Sequence, residues 1–125
     1  MEIDKDLVAA YATPLVLAIL SEGESYGYAI IKRVGELSGG ELQWTDGMLY
    51  PLLHRLERSG LVEASWRASE SGRKRKYYRL TAAGREQLER QRRQWQVVTR
   101  TMKGIWCLAA DPTDQLAQLT PAGEK

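Results

Sequence analysis

The chain has 125 residues, 43% hydrophobic and 27% charged, with a formal net charge of +2. That is enough for one globular domain with a modest core. No run reaches the ~20 apolar residues that cross a bilayer, and the polar opening Met1-Glu2-Ile3-Asp4-Lys5-Asp6 does not read as a secretory signal. The single cysteine, Cys107, has no internal disulfide partner, and with the single histidine, His54, it argues against a zinc site. A reducing, cytoplasmic setting without cofactor is expected.

Asp4 or Asp6 is positioned to cap a short helix over residues 7–11, and Thr13-Pro14 reads as a cap followed by proline at the first helical position. The alternative is one helix bent at Pro14. Leu15 to Leu20 is apolar all round, which predicts a central core helix stopped by Ser21-Glu22-Gly23. Ser25 is the next cap candidate, and Tyr26, Ile30, Val34 and Leu37 fall on one face of the helix that follows. Gly27, where alanine would favour a helix by ~1 kcal/mol, predicts close approach of a neighbouring helix. Ser38-Gly39-Gly40 ends this element, and Leu42-Gln43-Trp44 reads as extended.

A third helix starts at Thr45-Asp46, with Leu49, Leu52, Leu53 and Leu56 as its buried stripe. Met48, Tyr50, His54, Arg55 and Arg58 fall toward its sides and outer face, Pro51 risks a kink, and Gly60 is the stop. Residues 61–67 and 75–80 are rich in β-branched and aromatic side chains, and they predict a hairpin whose turn, residues 68–74, becomes basic at its end. In the second strand one of Tyr77 and Tyr78 should point inward. Thr81 then caps a helix to about Leu108, with Leu88, Trp95 and Met102 at spacing seven interleaved with Val98 and Ile105. A helix of ~27 residues is ~40 Å long, more than one small domain covers. Its stripe either meets a second copy, making a homodimer, or folds back on the first helix. After Ala110 the composition shifts, and residues 110–125 read as a flexible tail.

Charge is segregated along this order. Residues 73–103 hold eleven Lys or Arg against two acids, a net +9, and the remainder carries a net −7. A surface facing phosphate needs that, although a solvated basic helix would show it too. Enzyme constellations are missing: no nucleophile is paired with His54 by any motif, and Gly39-Gly40 is no phosphate-cradling loop. Helix, helix, helix and hairpin is instead the order of a winged helix-turn-helix, whose third helix enters the major groove. The expected DNA-binding residues are Thr45, Asp46, Met48 and Tyr50 on that helix, and Arg73, Lys74, Arg75 and Lys76 on the wing. Two other classes fit the same pattern: a protein-interaction module, and a ligand-binding dimer without specific DNA binding.

Four stretches resemble the PadR family of transcriptional regulators: residues 15–20 followed by Tyr26-Gly27-Tyr28-Ala29-Ile30; Gly47-Met48-Leu49-Tyr50-Pro51-Leu52-Leu53-His54-Arg55-Leu56-Glu57; Gly60-Leu61-Val62; and Arg75-Lys76-Tyr77-Tyr78-Arg79-Leu80-Thr81 with Gly84. The resemblance implies a mainly α fold with a small β-wing: a winged helix-turn-helix over 1–80, a single C-terminal dimerisation helix over 81–109, and a tail over 110–125. It implies a dimeric repressor on a palindromic double-stranded operator, with no membrane association and no enzymatic activity. Tyr50 would hold phosphate or line the groove, whereas Met48 stands where many members carry Thr or Ser. Dimerisation would run through Leu88, Trp95, Val98, Met102, Ile105 and Trp106, the last packing on Leu7 or Tyr11 of the other copy. In multidrug-sensing relatives a tryptophan on the long helix stacks on flat, cationic or aromatic ligands at the dimer centre. Trp95 with Val98 is the similar position, and it reads as a small aromatic effector site or as plain dimer core.

Overall fold

The computed structural model describes residues 2–108, so the tail expected at 110–125 lies outside the described residues. In chain order these form α1 (Lys5–Ser21), β1 (Ser25–Tyr26), α2 (Gly27–Leu37), α3 (Asp46–Arg58), β2 (Val62–Ala68), β3 (Lys74–Leu80) and α4 (Ala82–Leu108). This is a mainly helical winged helix-turn-helix with a small antiparallel sheet and a long C-terminal helix. Among the described residues no helix is long and apolar enough to cross a membrane.

Of the two readings of the N-terminus, the single helix is the one adopted: α1 runs through Pro14 without a break. Val16, Leu17, Ile19 and Leu20 are all buried, which is why this stretch is apolar on more than one side. The expected cap at Ser25 is a correction. Ser25 and Tyr26 pair antiparallel with Tyr78 and Tyr77 of β3, giving a three-stranded sheet in the order β1-β3-β2. Backbone groups that a cap would have left half satisfied find a strand partner, and α2 starts two residues later, at Gly27. Ile30 and Val34 fill the core as expected, but Leu37, in the last turn of α2, is 52% exposed.

Leu42-Gln43-Trp44 forms no strand. Trp44, 6% exposed, anchors the connection instead, stacking on Tyr11 of α1 at 6.2 Å and donating its Nε1–H to the Tyr11 hydroxyl at 3.4 Å. In α3 the four stripe leucines are buried as read. Gly60, at φ +78°, closes the helix, and the Leu61 N–H returns to the Leu56 carbonyl at 3.0 Å.

The hairpin pairs Val62 with Leu80 through to Ala68 with Lys74. Tyr78 is the inward tyrosine, 1% exposed. Thr81 ties three elements together. Its hydroxyl donates to the Gly60 carbonyl at 2.6 Å and accepts the Gly84 N–H at 3.0 Å, and its N–H donates to the Leu61 carbonyl at 3.1 Å. Gly84 is required at this point, because a Cβ there would collide with the Leu61 carbonyl oxygen.

The chain divides into two compact units inside α4, after Glu89. The first unit includes the opening turns of α4, and Leu88 is 6% exposed within its core. Leu88 therefore packs within the core of its own chain. The distal part of α4 carries Val98, Met102, Ile105 and Trp106 at 42, 43, 63 and 64% exposure. At 100° per residue these fall on one face together with the half-buried Trp95.

Candidate nucleic-acid interface

The leucine stripe of α3 sets which side chains face out. With Leu49, Leu52, Leu53 and Leu56 turned to the core, a 3.6-residue period places Gly47, Pro51, His54 and Arg58 on the opposite ridge. All four are exposed, as are Thr45, Asp46 and Arg55. Met48 and Tyr50 are only half exposed, on the two flanks. The outward ridge therefore begins with two residues of small profile and continues into imidazole and guanidinium. Pro51 has no N–H to donate to the Gly47 carbonyl, so a backbone acceptor on this ridge lacks its helical donor. His54, Arg55 and Arg58 were not singled out as site residues from sequence, although the helical period opposite the leucines was sufficient to find them.

Tyr50 is committed in part to structure. Its ring lies on the backbone of Gly27 at the start of α2, leaving no room there for a Cβ, and its centroid is 6.4 Å from the His54 ring. This is the close helix approach that Gly27 foretold. Thr45 flanks the helix with extended backbone, and its carbonyl accepts the N–H groups of Met48 and Leu49 at 3.1 and 3.0 Å, but its hydroxyl caps no backbone donor.

The four wing cations divide into two pairs. Arg73 and Lys74 are exposed at the turn, which is closed by Ser69 N–H to the Arg73 carbonyl at 2.8 Å and by Gly72 at φ +86°. Neither side chain has a protein partner among the described residues. Arg75 and Lys76 are half-buried and engaged. The Arg75 guanidinium lies 3.9 Å over the Tyr26 ring, and Lys76 Nζ is 3.5 Å from Glu57 of α3. Arg67 repeats the first pattern, 4.0 Å over Tyr77 and 2.7 Å from Glu24. One face of the sheet is thus an aromatic and guanidinium layer that stiffens the base of the wing.

The other face continues the core and then runs out of it. Trp66, opposite Lys76 in the register, is 64% exposed, a large aromatic that sequence reading passed over within its strand. Beneath it, burial pushes the Tyr78 phenol up, partly opposed by the Lys76 ammonium. The Tyr78 hydroxyl has no hydrogen-bond partner among the described residues. Among the described residues there is also no cluster of His, Cys, Asp and Glu able to hold a metal ion.

Comparison with known proteins agrees with this geometry. The model of the transcriptional regulator PadR-like family matches residues 16–90, from the buried part of α1 through the wing and into α4. A PadR-like transcriptional regulator from Bacillus cereus superposes with a TM-score of 0.72 at 31% identity, over 82% of this chain and 97% of that one. A PadR family transcription regulator from Clostridium difficile gives 0.68 at 32% identity, over 77% and 98%. In sequence, the transcriptional regulator YqjI of Escherichia coli is 33% identical over 89 residues, which are 71% of this chain but 41% of that protein. Regulators of this family are non-enzymatic and bind DNA, generally as dimers. The chain belongs to the PadR-like family of transcriptional regulators.

Proposed function

We propose that the chain is a homodimeric, sequence-specific repressor that blocks a promoter by occupying a palindromic double-stranded operator in the cytoplasm. The observation that carries this is the pairing of a small-then-basic outward ridge on α3 with two unpartnered cations at the wing turn. Gly47 and Pro51 let the backbone approach the floor of the major groove, and His54 and Arg58 follow along the same ridge toward base edges or phosphate. Thr45, Asp46, Met48 and Tyr50 line the flanks.

Arg73 and Lys74 supply phosphate contacts from the wing, while Arg75 and Lys76 hold its shape and add charge. A second copy joins through Trp95, Val98, Met102, Ile105 and Trp106, because an exposed apolar helix face of this extent is stabilised by covering it. Two-fold symmetry then places two α3 helices about one helical turn, ~34 Å, apart on the operator. A small aromatic effector stacked on Trp95 and Val98 would act by favouring one spacing of the two helices over another.

The test is gel-shift titration of the purified chain with a palindromic fragment from upstream of its own gene, against random duplex of equal length. The repressor reading requires tighter binding to the palindrome by tenfold or more and a mass in solution of two chains. Equal affinity for both duplexes overturns sequence specificity, and a monomer bound to DNA overturns the role of α4.

A further inference from the structure

The two poorest helix formers, glycine and proline, stand one turn apart on the outward ridge of α3, as Gly47 and Pro51. Packing does not demand the glycine. A Cβ on Gly47 would meet nothing nearer than the Thr45 hydroxyl at 3.9 Å, and Gly47 does not have positive φ. At Gly27 and Gly84, by contrast, a Cβ collides with a neighbour. Gly35 and Gly104 are as open as Gly47, but neither has a proline four residues on. The pair has one joint effect. The α-helical donor to the Gly47 carbonyl would be the N–H of residue 51, which proline lacks, and among the described residues no turn or cap bond replaces it. The proline ring also crowds that carbonyl and favours an outward tilt of its oxygen. Gly47 has no side chain to screen it, and both residues are exposed.

We propose that the Gly47 carbonyl oxygen reads a base directly, accepting a hydrogen bond from the exocyclic amine of an adenine or a cytosine in the major groove. This rests on the proposed function, in which the same ridge enters the groove, and it names what the start of α3 recognises there. The choice of base follows from the groove's own pattern. Adenine N6 and cytosine N4 are donors, whereas guanine O6 and N7 and thymine O4 are acceptors. In the free chain water satisfies the Gly47 oxygen. In the groove that water is displaced, and only an amine opposite replaces its hydrogen bond, whereas guanine or thymine leaves two acceptors face to face. A side chain can rotate away from a wrong base. A main-chain oxygen fixed in a helix cannot, so the discrimination is built into the backbone.

The experiment is a scan of the palindromic duplex by fluorescence anisotropy with the full chain. Each adenine in turn is replaced by purine and each cytosine by pyrimidin-2-one, which removes the exocyclic amine alone. In the wild type, one position in each half-site should lose affinity about tenfold through this contact. Pro51→Ala returns an N–H to residue 51, which takes up the Gly47 oxygen inside the helix. That variant should melt at a higher temperature than the wild type, yet bind intact and amine-deleted duplexes alike at the same position. Weakened base pairing in the modified duplexes affects both proteins equally, so the comparison cancels it. A tenfold loss that persists in Pro51→Ala overturns the proposal, even where preference for the palindrome stands. If Pro51→Ala does not fold, Gly47→Ala decides on the same criterion, because its methyl has room in the free chain and stands between the oxygen and the base. A chain that binds the unmodified palindrome no better than random duplex fails the proposed function first, and this reading falls with it.

Discussion

Replacing Gly27 by alanine probes the angle between α2 and α3, on which presentation of the groove-facing helix depends. Gly27 does not have positive φ, so the backbone accepts alanine, and removing glycine by itself favours folding by ~0.5–1 kcal/mol. The added Cβ, however, would lie 2.7 Å from Tyr50 Cζ and 3.3 Å from Cε1, and nearer still to the hydroxyl. Carbon atoms rest at ~3.5–4.0 Å, so the ring must retreat by roughly 1 Å or the helices must part. Either response loosens the contact in which Ile30 and Val34 meet the α3 leucines, and overpacking of this kind costs ~1–3 kcal/mol. The net expectation is a loss of ~1–2 kcal/mol, seen as a fall in melting temperature of about 5–15 °C for a domain of this size. Urea unfolding followed by circular dichroism measures it, together with the same substitution made on a Tyr50→Ala background. There the clash is gone, and Gly27→Ala should be neutral or stabilise by ~0.5–1 kcal/mol. If the loss persists without the Tyr50 ring, steric contact with Tyr50 is not the cause and the reasoning fails.

Arg73→Ala with Lys74→Ala should weaken binding to palindromic and random duplex nearly alike and reduce the slope of log affinity against log salt by about 1.8, since each phosphate contact contributes ~0.9. An unchanged slope in fluorescence anisotropy titrations would remove these side chains from the interface. Gly84→Ala forces a Cβ onto the Leu61 carbonyl, a backbone atom held by the Thr81 N–H. It should cost ~1–3 kcal/mol in urea unfolding, and a neutral result would mean that the junction of wing and α4 relaxes freely. Tyr78→Phe removes a buried hydroxyl without a partner, and it should raise stability at neutral pH by up to ~1 kcal/mol. In the wild type the folded phenol titrates above its ordinary value, so its contribution is fully present below about pH 10 and is lost as pH rises further. Alkaline unfolding should therefore set in at higher pH in Tyr78→Phe, and an identical alkaline limb would contradict that origin.

Much of the fold was legible without coordinates because the signals were local. The four leucines of α3, the Gly60 stop, the Thr81 cap and the alternation that turns Tyr78 inward each follow from a period or a backbone requirement contained in a few residues. Gly27 announced a close neighbour without saying which. Pairings between distant segments were not legible. Ser25-Tyr26 looks like a helix start until β3 lies beside it, and nothing in Arg75 or Lys76 distinguishes them from Arg73 and Lys74 until Tyr26 and Glu57 are in place. Leu88 belongs to the same heptad as Trp95 and Met102, yet the first unit encloses it and leaves the distal face exposed.

The sequence by itself thus determined the elements, their order and the sign of charge that the wing presents, since propensity, periodicity and composition act along the chain. Only the tertiary structure decided which cations stay free for phosphate and which are held by an aromatic ring or a carboxylate at the base of the wing. Those properties depend on what lies across space from each side chain, and burial and charge pairing are settled only when the chain has closed on itself.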